Sequence, residues 1–143
     1  MEIQEALRIG YFQALVGNVG VPVYSEGSVP ENASGHYVII SSFTGNQRFT
    51  DRSNVQEVTQ MVDIVTESLS PSGYGTANTI ANLVENIINP DDRVDIDITD
   101  LGYRVGNTFT IQTTNQFTKD STRYIYRIIK RYRHLISKET VNT

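Results

Sequence analysis

The sequence predicts an α+β fold: a mixed, mainly antiparallel sheet with two helices packed on one face, in the order α-β-β-β-α-β-β-β. Three stretches carry this expectation. Residues 55–68, VQEVTQMVDIVTES, place Val58, Val62 and Ile64 on one side and Glu57, Asp63 and Glu67 on the other, the period of a strand with one buried face. After Ser70-Pro71-Ser72-Gly73 the period changes, and Ala77, Ile80, Ala81, Val84, Ile87 and Ile88 fall on one stripe of a 3.6-residue helix. From Thr122 to Ile136 the chain reads TRYIYRIIKRYRHLI, β-branched and aromatic throughout, which favours a strand over a helix.

The remaining elements follow in chain order. Ile3, Ala6, Leu7, Tyr11, Ala14 and Leu15 recur at helical spacing, with Glu2 and Glu5 in the first turn, where the helix dipole favours acids. Gly10 weakens that helix and Gly17-Asn18 stops it. Val21-Pro22-Val23-Tyr24 is extended, and its proline places it at an edge or just before the sheet. Residues 25–35 are a loop by composition. His36 to Phe43, HYVIISSF, reads as a strand that pairs with Val55–Thr66 as a long hairpin, the polar stretch TGNQRFTDRSN forming a wide tip.

Asn89-Pro90 ends the second helix. Val94, Ile96 and Ile98 then alternate with Asp95 and Asp97, which predicts a strand with an acidic edge. Leu101–Asn107 is expected to turn, and Phe109–Phe117 to form a polar, Thr-rich strand. One domain spans residues 1–136, and residues 137–143 are expected to be a flexible tail. No internal repeat or low-complexity segment interrupts the pattern.

At 143 residues the chain can bury a core without staples. It has no cysteine, which removes disulfides, thiol nucleophiles and thiolate metal sites together and fits a reducing compartment. Its apolar runs are too short for a membrane span, and its acidic start does not read as a signal peptide. The net charge of −4 is unevenly spread: residues 1–118 hold five Lys/Arg against fourteen Asp/Glu, and residues 119–143 hold seven against two. A basic end on an acidic body suits either a polyanion or the acidic face of another copy.

Asp91, Asp92, Asp95, Asp97 and Asp100 supply oxygens, but counting from Asp95 puts Asp100 where a calcium loop needs glycine and Gly106 where it needs glutamate. They read instead as a solvated strand edge. Gly73-Tyr74-Gly75 opens a helix, yet no Lys-Ser or Lys-Thr and no third glycine follows, so turn and helix start suffice. Gly17-Asn18-Val19-Gly20 lacks such a context as well. His36 and His134 lie in predicted strands without an acid and nucleophile at a telling spacing, and are read as structural. No catalytic residue, metal site or cofactor is implied.

The strongest chemical feature is the interleaved set Arg123, Arg127, Lys130, Arg131, Arg133 with Tyr124, Tyr126 and Tyr132. Strand-borne Arg and Tyr can hold phosphates and stack on bases. Alternatively, the arginine stems cover apolar surface while their heads pair with acids of a neighbouring subunit, the reading that the acidic body favours.

Taken together, the N-terminal amphipathic helix, GVPVY, YVIIS, VDIVTES running into a Gly/Ser turn, TANTIANLVENIIN and the closing STRYIYRIIKRYRHLI resemble the tail-completion or tail-terminator family of bacteriophages. The resemblance covers most of the chain. It implies a virion structural protein without enzymatic activity, made in the host bacterial cytoplasm. It further implies a homo-oligomeric ring at the neck, bound to the head-tail connector and the tail tube protein, with passive contact to packaged DNA in its lumen. The matching positions Val62, Ile64, Ala77, Ile80, Ala81 and Val84 are packing positions. The chain departs from the family in a longer, more polar 94–117 region and a pronounced basic closing strand. On this reading Arg48, Arg52, Arg123, Arg127, Arg131 and Arg133 are the candidates for a subunit interface or a DNA-facing lumen. The rival reading is a small nucleic-acid-binding module, a monomer or dimer whose single-strand affinity would be lost on Arg127→Ala or Tyr126→Ala. An enzyme would need a pocket holding His36 or His134 beside a carboxylate.

Overall fold

The computed structural model describes residues 2–46, 55–69, 73–90, 96–120 and 122–138. Its elements are α1 (Ile3–Leu15), β1 (Val23–Ser25), β2 (His36–Asn46), β3 (Val55–Ser68), α2 (Gly73–Ile88), a single 3-10 turn (Thr99–Leu101), β4 (Tyr103–Lys119) and β5 (Tyr124–Lys138). The strands form one five-stranded sheet in the order β1-β2-β3-β5-β4. β1 runs parallel to β2, and every other pairing is antiparallel. The expected class, α+β with a mainly antiparallel sheet, is the one observed.

Both helices bury their apolar stripes on the same face of the sheet. Leu7, Tyr11 and Leu15 of α1 and Ala77, Ile80, Ala81, Val84 and Ile88 of α2 join Val38, Ile40, Val58, Val62, Ile64, Ile128, Tyr132 and Ile136 in one core. Each fully buried Leu, Ile or Val contributes roughly 1.5–3 kcal/mol relative to exposure. β5 lies between β3 and β4, so its Ile128, Tyr132, His134 and Ile136 sit at the centre of this core. On the opposite face Tyr37, Ile39 and Val65 form a smaller cluster with Tyr24, Val29 and Ala33, the last two supplied by the loop after β1.

Regular alternation breaks at three places. In β2 the register shifts between Ile40 and Phe43, so Val38 and Ile40 face the helices and, beyond the bulge, so does Phe43. The buried Gln60 amide holds the bulge by donating to the carbonyls of Ser41 (2.9 Å) and Met61 (3.1 Å). In β4 the register shifts between Val105 and Asn107 and again between Thr110 and Gln112. An extra residue at each bulge swaps the strand's faces. That is why 103–107, expected as a turn, belongs to the strand: Gly106 is taken up as a bulge, and the ladder continues along β5 to Lys138.

The strand expected around Val94–Ile98 is not present in its described part. Residues 96–98 are irregular and lead into the 3-10 turn, capped by Gly102 at φ 92°. Ile96 and Ile98 are buried, but against α1 and not in a ladder. A Cβ at Gly10 would stand 2.6 Å from the Cγ2 of each, so the glycine that weakens α1 gives this segment its seat.

Candidate functional site

On the face away from the helices, β3 presents Glu57, Asp63 and Glu67 beside Arg123, Arg127 and Arg133 of β5 and its approach. Arg123 Nη1 donates to Glu67 Oε2 at 3.0 Å. Arg127 Nη2 lies 3.6 Å from Asp63 Oδ2, and Arg133 Nη1 lies 3.8 Å from Glu57 Oε1. The register pairs Arg127 with Val65 and Arg133 with Thr59. Each of these arginines therefore reaches the acid two residues along from its direct partner, a diagonal neighbour on the same face. Arg131 faces Met61 across the ladder, with Nη2 3.6 Å from the sulfur. Arg133 also lies over the ring of Phe109 on β4, 4.9 Å from its centroid.

These arginines pair with acids of β3 in the same chain. The arginine side chains remain 38–52% exposed. Pairs of this kind are worth about 0.2–1 kcal/mol each, so they set the register and charge pattern of the face more than its stability. Burial raises the Asp63 carboxyl above its usual value despite the opposing pull of Arg127, and Glu26 adds to the rise. Asp63 Oδ1 and the Nε atoms of Arg127 and Arg133 make no hydrogen bond within the described structure, so neither of these two pairs is bidentate.

Strand alternation separates the chemistry that a nucleic-acid groove would need in one place. Arg127, Arg131 and Arg133 share the charged face, whereas Tyr126 and Tyr132 turn to the helices. Tyr126 packs with Tyr74 of α2 and Phe117 of β4, ring centroids 5.8 and 4.8 Å away. Arg48 and Arg52 lie outside the described residues, as do Asp91, Asp92 and Asp95. Asp97 is exposed and accepts from the backbone N–H (3.1 Å) and hydroxyl (2.7 Å) of Thr99, which holds its carboxyl below the usual range. Among the described residues no three His, Asp or Glu side chains converge on a possible metal position.

His134 is at the centre of the core and fully buried. Its Nε2 meets the hydroxyl of Tyr11 on α1, and its Nδ1 lies 2.9 Å from Thr108 Oγ1 on β4. Burial drives the imidazole down to about 4, so the ring is neutral at pH 7. Burial, with the Glu85 charge adding, holds the Tyr11 hydroxyl well above its usual value. The neutral ring carries one N–H, so one of these two hydroxyls donates to the imidazole and the other accepts from it. One helix turn away Glu85 accepts a hydrogen bond from Thr110 (2.7 Å), whose hydroxyl in turn accepts from Asn89 (3.0 Å). Both hydroxyl partners come from the segment of β4 between its two bulges. No periodic signal in the sequence marks those bulges, so Thr108, Thr110 and Gln60 are not distinguishable there as buried partners. His36 opens β2 at the sheet end, half-buried, and its Nδ1 makes no hydrogen bond within the described structure.

No protein-family model and no curated protein matches the chain. Its fold is shared with a chain in the virion of a native gene transfer agent particle, 17% identical, with a TM-score of 0.73 over 94% of this chain and 97% of that one. A second solved chain aligns over the whole of both chains at 14% identity and a TM-score of 0.56.

Proposed function

We propose that this chain is a structural virion protein of a tailed phage or phage-like particle. In this reading it forms a homo-oligomeric ring that ends the tail tube and joins it to the head connector, and it resides in the virion after synthesis in the bacterial cytoplasm. The observation that carries the reading is the near full-length likeness to a chain from a gene transfer agent virion. Two features of the structure agree with it. The only histidine of the core is taken up by packing and by two hydroxyls, and the largest chemical investment in charge is an ordered sheet face suited to meeting other proteins. The Arg/Tyr strand loses support as a nucleic-acid groove because its two residue types face opposite sides of the sheet.

Light scattering after size exclusion, across a concentration series and with added tube or connector protein, tests the proposal. A closed ring, or a monomer recruited into one by those proteins, is the expected result. A monomer that ignores both partners and binds single-stranded DNA tightly would overturn it.

A further inference from the structure

We infer that the free edge of β4 docks onto the β1–β2 edge of a second copy, head to tail, so that copies join through their sheets. The inference rests on the ring reading above and names the surfaces that would build it.

β4 is the outermost strand on one side of the sheet. From Gln112 to Lys119 it pairs with β5 in unbroken register, which leaves eight residues of regular backbone with their outer N–H and C=O groups unmatched by any described strand. Natural edges are guarded by charge, proline or shortness. This one has no proline, and its charges are confined to Arg104 and Lys119 near its ends. Three of the seven large apolar side chains exposed among the described residues, Phe109, Ile111 and Phe117, belong to this strand. The bulges at Gly106 and Ile111 interrupt only its first part.

The opposite edge is complementary. β1 covers β2 only at Val38–Ile40, so β2 continues beyond it to Asn46 without a described neighbour on that side. Between Val19 and Asn46 the charged residues are Glu26 and Glu31 alone, whereas Tyr103–Lys119 contains no acid; Arg8 of α1 reaches Ser25 of β1 at 3.3 Å, and Glu5 lies 3.9 Å from its guanidinium. Both glutamates are exposed. An acidic edge and a basic edge on opposite sides of one sheet favour contacts between unlike edges over like ones. Repeated contacts between unlike edges close into a ring when the rotation between copies closes, and run on as an open filament when it does not.

Two variants of the full chain test this. Glu26→Lys with Glu31→Lys makes both edges basic, and Asn115→Asp with Lys119→Glu makes both edges acidic, all at exposed positions. At low salt each variant alone should associate at least about tenfold more weakly than wild type, with its melting temperature unchanged. An equimolar mixture should recover the wild-type mass, because each contact between the two variants joins either two unreversed edges or two reversed edges, which carry opposite charge in both cases. Oligomers that persist in both variants would overturn the edge assignment and leave the ring reading standing. Loss in the acidic variant alone, with the basic variant associating as wild type does, would overturn the head-to-tail arrangement in favour of β4 meeting β4. A wild-type chain that stays monomeric with and without tube and connector proteins would overturn both readings.

Discussion

The Tyr11 hydroxyl is hydrogen-bonded to Nε2 of His134, joining α1 to β5 across 123 residues of sequence where neither side chain is exposed. The two rings meet edge to face, 5.6 Å between centroids. Removing one partner leaves the other's polar atom buried and unpaired, at a cost of roughly 1–3 kcal/mol. Tyr11→Phe should therefore lower the unfolding free energy by that amount, read as a lower urea midpoint at an unchanged m-value. Tyr11→Phe combined with His134→Leu should cost less than the sum of the single changes.

The same histidine makes stability fall in mild acid. Its folded-state pKa of about 4 lies below the ordinary 6.5, so between these values the unfolded chain binds the extra proton. Its contribution is complete above pH 6.5 and is lost as pH drops towards 4, amounting to about 3 kcal/mol over the whole window. Asp63 has a raised pKa and acts in the opposite sense, destabilising as pH rises through its titration. A urea series from pH 7.5 down to 5 keeps largely to the histidine's window. His134→Gln should flatten the slope, and an unchanged slope in that variant would assign the effect elsewhere.

Gly10→Ala sets helix propensity against packing. Alanine favours an exposed helix interior by about 1 kcal/mol, but here its Cβ would stand 2.6 Å from two isoleucine methyl groups. Overpacking of this sort costs about 1–3 kcal/mol, so the variant should melt at a lower temperature than wild type. A higher melting temperature would mean that residues 96–98 move aside at little cost.

The arginine ladder should matter little to stability. A double-mutant cycle on Asp63 and Arg127, each changed to Ala, should give a coupling of about 0.2–1 kcal/mol at low salt. It should shrink further at 1 M salt, where screening acts within about 3 Å. A coupling of several kcal/mol would mark the pair as a structural anchor.

Gln60 pins the β2 bulge through two carbonyls. Gln60→Leu keeps the bulk but strands those acceptors, and should cost about 1–3 kcal/mol. Amide exchange should quicken around Ser41 and Met61 before it does elsewhere in the sheet.

The main elements were legible because each is written in a local period. Val58, Val62 and Ile64 fall on the helix-facing side of β3 as their alternation indicates, and Ala77 to Ile88 form the stripe of α2. The alternation of Ile96 and Ile98 misled because two apolar residues with polar neighbours satisfy a strand's period equally well when they plug a gap beside a glycine. Leu101–Asn107 misled in the opposite way, since Gly106 reads as a turn in sequence but is a bulge once β5 lies alongside. For the candidate site, the sequence placed the arginines and the acids on alternating strands. It could not say that those strands are neighbours.

The sequence by itself determined which residues of each element share a face, because side-chain direction follows from backbone period. Only the tertiary structure decided what each face meets. Placing β5 between β3 and β4 made the basic strand half of an intramolecular charge ladder, sealed His134 beneath Tyr11, and left β4 as the outermost described strand. Those outcomes depend on contacts between residues dozens to more than a hundred positions apart, and such pairings are selected by the packing of the whole core, not by any local pattern.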